Sequence, residues 1–347
     1  MLCRPWYCAG VAMLLMAFAF PAKATDGIPR WRVSGTSIVD ASGAPVRLRG
    51  FDVCWWVPPT DEDAANIQGM GANCVRYMFG YNPTGKYDPA QVSEVVRQIH
   101  CFTSRGLAVV PVLYMFQRPD PSSLGKKLDP WSTPEMNAEF LALWTDLMTQ
   151  LKDEPCILAW EPINEPNDVA PGVAAAWYRH LIPRLRQLDP DRPIVVEGAN
   201  YSHAEDLTPE FKMDDPNIIY AFHFYNPYEF TSDIRTPPLE YPGKWGKSFL
   251  EKLIEPAVRF RDKFQVPVWC GEWGAKSAGP GYLQWRSDVF DILEANHLDW
   301  CAWAWALQPA HPQNDDYDIN PQKKDSCQFM AGLFRRALGK QTQASSK

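Results

Sequence analysis

The chain has 347 residues, 46% of them hydrophobic and 22% charged, enough apolar material for a sizeable core and unlike a disordered polymer. Its 41 acidic residues exceed 34 basic ones, giving a formal net charge of -7 without the basic stripe that phosphate contacts need, so nucleic acid is excluded as a partner. The 21 glycines and 32 prolines are scattered, which rules out a collagenous chain, a flexible linker or a proline-rich tail.

The first residues read as a targeting segment. Arg4 precedes the apolar run Ala9 to Phe20, too short for the roughly 20 helical residues that cross a bilayer. Ala22-Lys23-Ala24 supplies the small residues that a signal peptidase accepts, which puts the cut after Ala24. Residues 1–24 are thus expected to be a signal peptide and 25–347 one domain, secreted or periplasmic, with no membrane association after cleavage. A hairpin is expected over Trp31 to Asp40, turning through Ala41-Ser42-Gly43.

From residue 46 onward short apolar runs alternate with long amphipathic stretches. The runs are Val46 to Val53, Asn73 to Met78, Leu107 to Leu113, Ile157 to Trp160, Ile194 to Glu197, Ile218 to Phe224, Val266 to Cys270 and Trp300 to Trp305. Between them, Val92, Val95, Val96, Ile99 and Phe102 keep helical spacing, as do Phe140, Leu143, Trp144, Leu147 and Leu151, then Trp177, Leu181, Leu185 and Leu188. Asp88-Pro89 offers a cap and a first helical residue, and Ser132 with Glu135 reads as a capping box. Eight near-continuously apolar strands separated by helices predict a (β/α)8 TIM barrel, an α/β fold, with a short N-terminal β-hairpin.

In such a barrel the chemistry sits at the C-terminal ends of the strands. Strand two ends near Arg76, strand four runs into Glu161-Pro162-Ile163-Asn164-Glu165-Pro166, strand six ends in His223-Phe224-Tyr225 and strand seven in Gly271-Glu272-Trp273-Gly274. Glu165 and Glu272 therefore project across one mouth, as an acid and a nucleophile flanking one bond would.

Asn164-Glu165-Pro166, His223-Phe224-Tyr225 and Glu272-Trp273-Gly274, in that order at strand ends, resemble glycoside hydrolase family 5, the family of many secreted cellulases and mannanases. Arg47 to Asp52 looks like that family's first strand, Asn73 to Arg76 like its second and Trp300 to Trp303 like its eighth, so the likeness spans nearly the whole mature chain. The resemblance implies a retaining β-glycosidase acting on a β-linked polysaccharide or oligosaccharide, a β-glucan or a mannan, without cofactor or metal. It makes Glu165 the general acid and base and Glu272 the nucleophile, with Arg76 and Tyr225 beside Glu272 as electrostatic support. Asn164 would meet the sugar 2-hydroxyl, His223 would hold Glu165, and Trp303 would form the floor under the sugar, where an aromatic plane buries the apolar C–H face of a pyranose. Trp305, two residues on, is the rival for that floor.

One departure stands out: relatives often carry a histidine at the end of the third strand, where this chain has Tyr114, so sugar contacts on the nonreducing side would differ. Trp55, Trp56, Trp245 and Trp273 fall in loops or at strand ends, to line further subsites or pack the core. A transglycosylase would share every catalytic residue, and a non-catalytic glycan-binding barrel would keep the aromatic floor without two opposed glutamates. The seven cysteines beyond the leader include no C-x-x-C pair; Cys74, Cys270 and Cys301 sit in apolar runs and read as buried thiols, and no disulfide pairing is specified.

Overall fold

The structure is a computed structural model that describes residues 31–80, 86–114, 130–167, 169–232, 238–305, 317–319 and 324–344. The expected leader, residues 1–24, lies outside the described residues. At the N-terminal end, β1 (Arg32–Ser34), β2 (Ser37–Val39) and β3 (Pro45–Val46) form a three-stranded antiparallel sheet. The expected turn through Ala41-Ser42-Gly43 joins β2 to β3, and a second turn at Gly35, φ +55°, splits the preceding segment into β1 and β2.

The main sheet is parallel, in the order β6 (Ala108–Leu113), β5 (Cys74–Phe79), β4 (Arg49–Cys54), β10 (Asp299–Trp305), β9 (Val268–Trp273), β8 (Ile218–Phe224), β7 (Ile194–Glu197). Residues 157–161 close it: Ile157 bridges Val109, Glu161 bridges Val112, and Trp160 bridges Ile194. The fourth predicted strand is thus the eighth stave of a (β/α)8 TIM barrel, held by single bridges to both neighbours rather than by a continuous ladder. The first stave starts at Arg49 rather than Val46, because Val46 belongs to the N-terminal sheet.

Helices α1 (Asp61–Gly69), α2 (Pro89–Thr103), α3 (Pro134–Leu151), α4 (Pro171–Leu188), the short α5 (Tyr228–Thr231), α6 (Lys247–Phe264), α7 (Tyr282–Ala295) and α8 (Lys324–Ala344) cover the outer face. Asp88 caps α2 through the Ala90 N–H with Pro89 next in line, as its sequence predicts. The cap of α3 is Thr133 rather than Ser132: Pro134, which has no N–H to leave unpaired, takes the first helical position, and Thr133 accepts from Met136. After β7 the crossover carries two 3-10 turns, Ala204–Asp206 and Pro209–Phe211, in place of an α-helix.

Strand alternation sorts the barrel interior into layers. The lowest is apolar, with Cys74, Val110, Leu158, Val195, Ile219, Trp269 and Cys301, and Ile38 and Leu48 pack into it from the N-terminal sheet and the segment after it. Gly50 separates two cysteines there: a Cβ would meet the Cys74 carbonyl oxygen at 2.0 Å, and across that gap the Cys74 and Cys301 thiols come to 3.7 Å. Cys54, Met78, Val112 and Trp303 form the top layer. Two residues below the top-layer residues of β4 and β5 lie Asp52 and Arg76, and at that level the interior turns polar.

Candidate active site

Arg76 is fully buried and fans its guanidinium across four staves. Nη1 donates to Glu272 Oε1 (2.7 Å) and Asp52 Oδ1 (3.1 Å). Nη2 donates to Glu161 Oε1 (2.6 Å), Asn164 Oδ1 (2.7 Å) and Glu197 Oε1 (3.0 Å), and Nε reaches Glu161 Oε2 at 2.9 Å. A lysine, a point charge without this planar fork, could not hold so many acceptors in fixed directions.

Glu272 faces inward because β9 bulges. Phe222 pairs with Cys270 but His223 pairs with Glu272, so Gly271 is an extra residue. Trp269 points into the barrel, strict alternation would turn Glu272 out toward the helices, and the bulge re-aims it at the mouth. Gly271 is also where His223 passes: a Cβ there would stand 3.0 Å from Nε2. Tyr225 donates to Glu272 Oε2 at 2.6 Å. Burial, then the Glu272 carboxylate, push the Tyr225 phenol well above its ordinary pKa, so it keeps the proton it donates.

Glu165 leaves the fourth stave in the left-handed region, φ +47°. Its side chain is 23% exposed at the mouth, and its Oε1 lies 2.8 Å from His223 Nδ1. Burial raises the Glu165 pKa against the opposing hydrogen bond from His223, and nearby Glu272 adds to the rise. Burial opposes charge on His223, but the Glu272 and Glu197 carboxylates and the bond to Glu165 outweigh it and hold the imidazole well above its ordinary pKa. Its Nε2 lies 3.3 Å from Glu197 Oε1, in ion-pair range but poorly aligned as a hydrogen bond. Nδ1, Nε2 and carboxylate oxygens of two groups here, Glu161/Glu197/His223 and Glu165/His223/Glu272, lie within 4.8 Å of one another. That spacing suits a metal, yet the guanidinium already satisfies three of these carboxylates and His223 serves as a donor.

Asn164, 5% exposed, commits its oxygen to Arg76, which leaves its amide N–H groups as donors. Trp303 reaches the mouth, 6.5 Å from Trp56 between ring centroids. Its rival Trp305 does not: pairing of β10 with β4 slips between Ala302 and Trp305, which turns Trp305 outward onto Phe51, its Nε1 donating to Asp63. Tyr114 sits beside Trp55 (5.2 Å) and Trp56 (5.5 Å), making one aromatic wall continuous with Trp303. Trp273 is buried against Trp285 and Trp300, and Trp245 packs on Phe230.

Sequence reasoning assigned no role to Asp52, Glu161 or Glu197, all fully buried around Arg76. The signal was present: each is a carboxylate embedded in an apolar strand run, where an unpaired charge is costly. Burial lifts Asp52 and Glu161 well above the ordinary carboxylate range, the Arg76 charge pulling the other way. Burial would lift Glu197 too, but His223, the hydrogen bond from Glu161 and Arg76 hold it low.

Two carboxylates brought together from separate staves are the arrangement on which glycoside hydrolysis runs. The description "Cellulase (glycosyl hydrolase family 5)" matches residues 39–308, from the end of β2 past the last stave, and the chain belongs to that family. Among curated relatives, Endoglucanase C of Acetivibrio thermocellus is 23% identical over 306 residues, covering 74% of this chain and 87% of that protein. A beta-xylosidase of Phanerodontia chrysosporium is also 23% identical, over 79% of this chain and 70% of its own length. The endoglucanase Cel5A structure from Thermotoga maritima superposes with a TM-score of 0.68 at 20% identity, over 83% of this chain and 96% of that one.

Proposed function

We propose that this glycoside hydrolase cleaves a β-linked glucan with retention of configuration, with Glu165 as acid and base and Glu272 as nucleophile. The observation that carries the reading is the approach of the two side chains, whose oxygens come within 4.8 Å. Carboxyls about 5–5.5 Å apart suit a nucleophile, whereas about 6.5–9.5 Å leaves room for an attacking water. Glu272 attacks the anomeric carbon while the glycosidic C–O bond breaks and Glu165 passes its proton to the leaving oxygen. The His223 imidazolium then faces the new Glu165 carboxylate. Water enters, Glu165 takes one of its protons, the hydroxyl bonds to the anomeric carbon, and Glu272 departs as a carboxylate.

The Asn164 amide donates to the sugar 2-hydroxyl, and Trp303 lies under the ring. Endoglucanases among the relatives favour a β-glucan, and the wall of Trp55, Trp56 and Tyr114 extends the aromatic surface for a neighbouring sugar. Among the described residues no helix is long and apolar enough to cross a membrane, and the leader pattern of residues 1–24 supports export. Reducing-end release from a panel of β-glucans, mannans and xylans tests the substrate; release from mannan or xylan alone would overturn the glucan assignment.

A further inference from the structure

Glu197, which closes β7, carries no role in the chemistry derived above, yet it contacts the acid's backbone, the loop after its own strand, Arg76 and His223. Its Oε2 accepts the backbone N–H of Glu165 at 2.6 Å and the Ser202 hydroxyl at 2.5 Å. Its Oε1 lies 3.0 Å from Arg76 Nη2 and 3.3 Å from His223 Nε2. It is fully buried.

Both segments held by Oε2 are strained. Glu165 has φ +47°, and Asn200, Tyr201 and Ser202 have φ of +60°, +63° and +58°, three consecutive left-handed residues of which none is glycine. Such conformations cost about 1–3 kcal/mol each and persist only where their surroundings fix them. The Tyr201 N–H donates to the Pro166 carbonyl at 3.3 Å, and the Ser202 carbonyl accepts from the His223 N–H at 2.7 Å. The loops after the fourth and fifth staves are thus tied together, and to β8, around one carboxylate.

We propose that Glu197 is a positioning residue for the acid and base: its carboxylate fixes the backbone of Glu165 directly and the side chain of Glu165 through His223. This rests on the reading of Glu165 as the acid. A carboxylate suits the position because all five partners are donors: two N–H or O–H groups on one oxygen, a guanidinium and an imidazolium on the other, and the Glu161 carboxyl. Glutamine supplies one oxygen and an NH2 group. With its oxygen toward Glu165 and Ser202, its NH2 would meet Arg76 and His223 donor to donor, unless His223 gives up its Nε2 proton and accepts. The charged groups around His223 are Glu161 on the fourth stave, Glu165 just beyond it, Glu197 on β7, Arg76 on β5, Glu272 on β9 and Asp52 on β4. While the imidazole stays protonated, removing the Glu197 charge weakens proton binding by Glu165, and that sets the direction of the effect.

Glu197→Gln is expected to move the basic limb of kcat/KM down by about 1–3 pH units, the shift produced by one charge at this range, and to lower kcat about 10²-fold with KM little changed, as misplacement of a catalytic group does. Glu197→Asp keeps the charge and is expected to keep the limb while losing part of kcat. A Glu197→Gln enzyme whose remaining activity keeps the wild-type limb, or whose loss falls on KM, would overturn the proposal. A second measurement needs no variant at the site: 15N-histidine NMR of the wild-type protein should show both ring nitrogens of His223 protonated at neutral pH, and an unprotonated Nε2 would overturn it as well. Leaving-group dependence in Glu165→Gln separates the two readings. If that variant loses activity equally on good and poor leaving groups, the acid assignment fails; if it behaves as an acid variant while Glu197→Gln keeps its limb, only the role of Glu197 fails.

Discussion

Replacing Glu165 by glutamine keeps the size of the side chain and an oxygen that can accept from His223 Nδ1, at 2.8 Å in the wild type, but removes the transferable proton. The backbone bond to Glu197 is untouched, so the left-handed geometry at residue 165 should survive. A general acid contributes about 10²–10⁴ in rate, equivalent to about 2.7–5.4 kcal/mol of barrier. That loss should appear in kcat/KM for substrates with poor leaving groups, such as sugars, and shrink toward zero for activated aryl glycosides that depart without a proton. The pH profile gives a second reading. Burial raises the Glu165 pKa, so wild-type kcat/KM on a poor leaving group should fall as pH rises through that value and the acid form is lost; in Glu165→Gln that dependence should flatten. Stopped-flow release of a series of nitrophenols at several pH values measures both. An equal loss across the series, with the basic limb intact, would refute the assignment.

Glu272→Gly should abolish hydrolysis and leave a gap that azide fills, restoring turnover of an activated β-glycoside as the α-glycosyl azide; near-normal activity without added anion would remove Glu272 from the mechanism. NMR of the first sugar released by the wild type should show the β-anomer before mutarotation, and an α-anomer would mean inversion. Trp303→Ala should weaken substrate binding with little effect on folding, whereas Trp305→Phe, which loses the bond to Asp63 (2.9 Å), should lower stability by about 1 kcal/mol and leave KM unchanged; the reverse pattern, read by kinetics and thermal melts, would exchange their roles. Burial raises the Asp52 pKa well above the ordinary carboxylate range, and a raised pKa contributes stability that is complete below the ordinary carboxylate value and is lost as pH rises. Asp52→Asn, which has no proton to lose, should therefore gain in melting temperature relative to wild type as pH rises from the acid range, while Arg76→Met should cost about 3–5 kcal/mol by stranding buried carboxylates; a loss of that size in Asp52→Asn would refute the raised pKa of Asp52.

The barrel was legible because parallel staves buried on both faces read as apolar runs, and seven of the eight form ladders close to their predicted bounds. The fourth was legible only as a run, since its pairing consists of single bridges on either side. The proximity of Glu165 and Glu272 was legible through their motifs rather than through periodicity. Alternation alone would have pointed Glu272 outward, and it wrongly set Trp305 beside Trp303; both errors trace to one extra residue in a strand, at Gly271 and between Ala302 and Trp305. A bulge is decided by how neighbouring strands pair, information that no local window holds. The same limit hid Asp52, Glu161 and Glu197, whose meaning comes from a single arginine on another stave, next door for Asp52 and two or three staves away for the others.

That arginine bears on how two glutamates in one cavity come to meet different donors. Burial acts on the whole polar layer and alone would protonate every carboxyl in it. What differs is the supply of donors. Glu165 receives one side-chain N–H, from His223, whereas Glu272 receives a guanidinium proton on one oxygen and a phenol proton on the other. Glu197 is supplied more richly still and sits low in pKa, while Asp52, with one oxygen on Arg76 and the other unpartnered, sits high. The two glutamates therefore differ in where donors were placed, and under the proposed mechanism that difference is what would divide acid from nucleophile. Two features placed them: the bulge at Gly271, which turns Glu272 inward toward Arg76 and Tyr225, and the left-handed turn at Glu165, which keeps the acid at the open mouth with the imidazole as its side-chain partner.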